Sequence, residues 1–136
     1  MIYFKEDYVT VCYNEDLKLV EVEWNGLILS RYFRETLEMV LDLINEKSLE
    51  NFLVNRKNMF RISLEDEQWR RESWFPRFIK SSIKRSASVI SKDFYNEVSF
   101  SKLIEEEDKD ITIERKRFYK YSEAKEWLVQ KIKSEV

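Results

Sequence analysis

Residues Asn51 to Lys80, NFLVNRKNMFRISLEDEQWRRESWFPRFIK, decide how the rest of the chain is read. The stretch opens on a short apolar run, Phe52, Leu53 and Val54, with the length and composition of a buried strand. A polar connector, Asn55 to Ile62, follows. Ser63 then reads as a helix N-cap, with Glu65, Asp66 and Glu67 in the first turn, where carboxylates meet the positive end of the helix dipole. Trp69, Trp74, Phe75, Phe78 and Ile79 supply the apolar side of that helix. Pro76 has no backbone N–H to donate, so the helix must kink or restart with Pro76 in its first turn. A buried strand feeding a capped helix is the repeating unit of an α/β domain.

Working outward, the same unit recurs. Tyr8 to Tyr13 and Leu17 to Trp24 both alternate, with Val20, Val22 and Trp24 set against Glu21 and Glu23. Asn14, Glu15 and Asp16 lie between them, which makes a β-hairpin, and Gly26 marks the turn out. Ser30 is the expected N-cap of a helix to about Glu46, whose stripe is Phe33, Leu37, Val40, Leu41 and Ile44. Beyond Lys80, Ser86 to Ser91 reads as a short strand. Asp93 is expected to cap a helix holding Phe94, Val98, Leu103 and Ile104, with the acidic run Glu105 to Asp110 as its exit loop. Ile111 to Tyr119 forms the last strand, and Ser122 is expected to cap a final helix carrying Ala124, Trp127, Leu128 and Ile132.

The order is ββαβαβαβα, and right-handed crossovers place each strand beside its predecessor. The expected fold is an α/β domain over residues 1–136 with a five-stranded mixed sheet, its first strand antiparallel and the rest parallel. Strands one, two and five alternate, where strands buried on both faces usually run apolar throughout. Helices are therefore expected mainly on one face, leaving the other partly open. Val20, Val22 and Trp24 cannot share a face with Leu19, so a bulky aliphatic sits on the more polar side whichever face is buried. A bulky aliphatic there motivates an expected two-fold homodimer through the open face.

Composition narrows function by what it omits. There is no histidine, one glycine and one cysteine, Cys12. The commonest general base, the Gly-rich phosphate loop and the structural zinc site all lack their residues. No enzymatic activity, metal or cofactor is expected. A net charge of −2 gives no general attraction to nucleic acid. No apolar run approaches the roughly 18–20 residues of a membrane span. MIYFKEDY lacks the basic start and long apolar stretch of a secretion signal, and a lone cysteine suits a reducing cytoplasm.

Several landmarks together resemble a known superfamily. They are the strand ending Glu23-Trp24-Asn25-Gly26, the Asn58-Met59 step and Trp69 followed by Trp74-Phe75-Pro76. The closing Glu123-Ala124-Lys125-Glu126-Trp127-Leu128 completes the set. Over nearly the whole chain they resemble the SpoIIAA-like superfamily of STAS and CRAL-TRIO domains, and most of all its small stand-alone bacterial members. That resemblance implies a right-handed β–α superhelix. On the STAS side it implies protein-partner binding, as in antagonists of anti-sigma factors; on the CRAL-TRIO side, a small apolar ligand or lipid. Phosphoregulated STAS proteins carry a serine in a short Asp-Ser, Gly-containing motif after the third strand. Here that region is Asn55 to Met59, with no serine before Ser63, so Ser63 is expected to cap a helix and nothing more. CRAL-TRIO lipid-transfer domains are also longer, with helices that roof a cavity and have no counterpart here.

The expected partner or ligand surface comprises Arg56, Lys57, Met59, Ser63, Trp69, Trp74 and Phe78. Arg56, Lys57, Arg61, Arg70 and Arg71 could hold an acidic partner or a phosphate beside the second helix. The plainer account is a solvated face balanced by Glu65, Asp66, Glu67 and Glu72. For Trp69 and Trp74 the plainer account is packing in the core or at its rim.

Overall fold

A computed structural model describes residues 1–92 and 112–135. Its sheet has six strands in sequence order: β1 (Ile2–Glu6), β2 (Val9–Asn14), β3 (Leu19–Gly26), β4 (Asn51–Met59), β5 (Arg85–Val89) and β6 (Glu114–Phe118). β1, β2 and β3 form an antiparallel meander, and β3 to β6 run parallel. The mixed sheet and its consecutive order are those expected from the sequence. The additional strand is β1. Its residues IYFKE are almost all exposed and show no buried alternate face, so only pairing with β2 defines them as a strand.

Side-chain alternation gives each sheet face its own core. Val11 pairs with Val22, and Val20 and Val22 pair with Phe52 and Val54. With Val9 and Trp24 they make one apolar face. Three helices pack on it: α1 (Ser30–Lys47), α2 (Leu64–Trp69) and α3 (Phe75–Ile79). The opposite face carries Leu19, Leu53, Ala87 and Val89, packed against Ala124 and Leu128 of α4 (Tyr121–Ser134). Among the described residues, helices therefore lie mainly on one side, as expected. Leu19 is fully buried beneath the cover of α4, which leaves β2 and β3 showing Thr10, Cys12, Glu21 and Glu23. The aliphatic side chain that motivated an open-face dimer is thus already covered within the chain.

Between α2 and α3 the chain makes a π-helical turn, Arg70–Trp74, in which the Phe75 N–H bonds the carbonyl five residues back, at Arg70. Pro76 then falls in the first turn of α3, where no backbone donor is needed. This is the restart that the sequence allowed.

Three local expectations are corrected. β4 continues through Asn55 to Met59, because those residues pair with β3 up to Gly26; the polar connector begins only at Phe60. The N-cap of α1 is Leu29, without a side-chain bond, since the Ser30 hydroxyl is drawn to Asp66 instead. The N-cap of α4 is Lys120 rather than Ser122, which lies inside the helix. The helix expected from Asp93 to Ile104, the acidic run after it and Ile111 lie outside the described residues.

Candidate functional site

The C-terminal ends of the parallel strands bring two loops together. β3 ends at Gly26, whose φ of 67° lies in the left-handed region that favours glycine. Gly26 pairs with Met59, and the Phe60 N–H donates to the Gly26 carbonyl at 2.9 Å. The loop from β3 to α1 and the loop from β4 to α2 therefore run side by side. They carry Leu27, Leu29 and Phe60 at 70%, 60% and 64% exposure, and Leu64, the first residue of α2, is 76% exposed. Ile28, between the two leucines, turns inward and is buried. Scattered exposed apolar residues are ordinary on any protein, but here three large ones share two adjoining loops and a fourth, Leu64, opens the helix that follows, making a patch.

Polar contacts hold the frame of that patch. The Ser63 hydroxyl accepts the Asp66 N–H at 3.1 Å, the cap predicted from sequence. The Asp66 carboxylate, 2% exposed, accepts the Ser30 hydroxyl at 2.6 Å and Arg34 Nε at 3.1 Å. The start of α1 is thereby fastened to the start of α2. The Arg34 guanidinium lies over the Trp69 ring at 5.3 Å, as a cation–π pair at the rim. Arg31, Lys57 and Arg61 are exposed on the same end of the molecule, and Arg56 is half-buried.

The residues expected to form the site divide into two groups. Arg56, Lys57, Met59 and Ser63 lie at this end of the sheet, with half-buried Trp69 beside them. Trp74 and Phe78 do not. Both are buried, with stacked rings 4.8 Å apart, and Phe78 meets Phe52 edge-on at 5.1 Å. The Trp74 indole N–H donates to the Leu37 carbonyl of α1 at 2.7 Å. A void beside Trp74, bordered also by Trp24, Phe33, Phe52 and Met59, measures ≈ 30 Å³. A small-molecule pocket takes roughly 300–1,000 Å³. These aromatics fill the space between sheet and helices.

Leu27, Leu29, Phe60 and Leu64 were missed by sequence reasoning. The signal available was slight: the leucines of Gly26-Leu27-Ile28-Leu29 flank a turn, and Phe60 stands among polar neighbours.

A second concavity of ≈ 200 Å³ lies on the other face, lined by Thr10, Cys12, Glu21, Glu23, Leu53, Asn55 and Tyr121. The Tyr121 hydroxyl donates to Glu21, and Lys125 Nζ reaches the other Glu21 oxygen at 2.6 Å. Burial and the Glu21 carboxylate both push the Tyr121 phenol well above its usual range. These bonds fasten the start of α4 to β3.

A solved structure from Shewanella loihica, of an uncharacterized DUF3478-family protein with a SpoIIAA-like fold, superimposes with a TM-score of 0.62 at 12% identity. The match covers 88% of this chain and 91% of that one. At such identity the likeness concerns the fold, and this chain has a SpoIIAA-like fold. No protein-family model and no curated protein matches the sequence.

Proposed function

We propose that this SpoIIAA-like chain is a non-catalytic interaction module, a regulatory protein of the STAS kind, that docks a protein partner. The contact surface is the patch of Leu27, Leu29, Phe60 and Leu64. The observation that carries this reading is the exposure of Leu27, Leu29 and Phe60 on two loops joined by the Phe60–Gly26 bond, with exposed Leu64 opening α2 just beyond. Buried under a partner, each of these side chains contributes roughly 2 kcal/mol. Left in water, they form the kind of patch that marks an interaction site on a soluble protein. Arg56, Lys57 and Met59 lie at the margin, and Ser63 keeps the loop in shape by capping α2. The CRAL-TRIO alternative, a small apolar ligand or lipid held beside Trp74, is less favoured, since the void bordering Trp74 measures ≈ 30 Å³.

The test is affinity capture from cells of the source organism, with the wild type and the Leu27→Ser/Phe60→Ser double variant side by side. Both substitutions lie on exposed loops, so the variant is expected to melt like the wild type. The proposal expects a reproducible set of partners held by the wild type and lost by the variant. Identical recovery with both proteins would overturn the proposed surface. Repeated recovery of nothing specific would overturn the function.

A further inference from the structure

The two cores of this fold are held very differently. Among the described residues, α4 lends no buried side chain to the larger core under α1, α2 and α3. The smaller core, on the opposite face, is Leu19, Leu53, Ala87 and Val89 roofed by Ala124 and Leu128. Those two are the only residues that α4 buries in its 14, whereas α1 buries a stripe running from Phe33 to Ile44. The start of α4 has no side-chain cap, and so short a helix is marginal in water on its own. Polar bonds at its two ends supply the rest of its hold. Tyr121 and Lys125 bind Glu21 near the start, while Lys131 reaches Glu114 at 2.9 Å and Glu135 meets Arg85 near the finish. Lys131, Glu114 and Glu135 are all more than two-fifths exposed, so water can replace these bonds at little cost.

We propose that α4 is a hinged cover, which lifts from the sheet as a unit while the rest of the fold stays intact. The hinge is Tyr119 and Lys120, between the end of β6 and the start of α4. The opened molecule keeps its larger core whole, because that core lies on the other side of the sheet. Arg85, the buried partner of Glu135, is not orphaned, since its Nη1 also donates to the Asn51 side chain at 2.9 Å. Opening uncovers Leu19, Leu53, Ala87 and Val89, an apolar strip across three adjacent strands. α4 thus decides whether that strip meets solvent. Sub-global opening of this kind falls on elements with few buried apolar contacts.

Native-state hydrogen exchange of the full chain, followed by NMR, tests the cover without any partner. Protection is compared between the Leu128 and Val129 amides of α4 and the Leu53 and Val54 amides of β4, in the wild type, Ile44→Val and Glu21→Gln. In the wild type, α4 should be protected at least about tenfold less than β4. Ile44→Val weakens only the larger core, which the opened molecule retains. It should therefore lower β4 protection about two- to tenfold and leave α4 unchanged. Glu21→Gln removes a bond that is lost whether α4 alone or the whole chain opens. It should lower protection in α4 and β4 together, by up to about fivefold. Equal protection of α4 and β4 in the wild type would overturn the proposal. So would Ile44→Val lowering α4 in step with β4, because the helix would then open only when the whole chain unfolds.

Discussion

Trp74 and Leu37, on separate helices, are joined by a buried hydrogen bond from the indole Nε1 to the main-chain carbonyl at 2.7 Å. It pins the segment that follows β4 to the middle of α1 and fixes which way the π-helical turn faces. Trp74→Phe keeps an aromatic ring but removes the donor and part of the volume, and should cost about 1–2 kcal/mol. Trp74→Ala should cost about 3–5 kcal/mol, because it adds a cavity beside the existing void. Urea denaturation of both variants checks the order and the sizes.

Ser63 is expected to act through its cap alone. Ser63→Asp should leave stability nearly unchanged, since aspartate caps as well as serine, whereas Ser63→Ala should cost about 1 kcal/mol. Thermal melts of the two variants separate this from a regulatory role. In a regulatory role, Ser63→Asp would abolish partner binding at an unchanged melting temperature.

How far the sequence reached depended on whether a feature is local. The alternation of Val20, Val22 and Trp24, the Ser63 cap and the restart at Pro76 are each set by residues within a turn or two, and all three appear in the structure. The Ser30 cap failed because its hydroxyl is taken by Asp66, 36 residues away. β1 escaped notice because an exposed edge strand has no buried face to leave a period in the sequence. Of the expected surface, Arg56, Lys57, Met59 and Ser63 lie at the end of the sheet where the β3–α1 and β4–α2 loops run together, whereas Trp74 and Phe78 are buried. The apolar patch itself arises only when the Gly26 and Phe60 loops meet, and nothing in either loop alone announces that meeting.

Acid should loosen the contact between α3 and α1. Arg77 grips Glu38 with two nitrogens, Nη1 reaching Oε2 at 2.8 Å, and this bond holds the Glu38 carboxyl below its ordinary value of 4.5. A depressed carboxylate pKa gives stability that is present above the unfolded value and lost as pH falls through the folded one. The pair is partly solvated, so the effect is modest. The wild type should lose more stability than Arg77→Gln between pH 5 and pH 3 (roughly the span of carboxylate titration). Parallel urea midpoints across that span would contradict this.

The purified protein should be monomeric. Leu19 is covered by α4, and β2 and β3 beside it show Thr10, Cys12, Glu21 and Glu23 rather than large apolar side chains. Light scattering coupled to size exclusion should give a mass near 16.7 kDa. A mass near twice that at high protein concentration would restore the dimer that the alternating strands first suggested.

The central claim, that Leu27, Leu29, Phe60 and Leu64 are where a partner docks, is tested most directly by crosslinking in living cells. A photoreactive phenylalanine analogue replaces Phe60 in one strain and Lys133, at the exposed far end of α4, in another. The account predicts discrete, reproducible adducts from position 60 that are absent from position 133. The same adducts at both positions, or none at position 60, would contradict it.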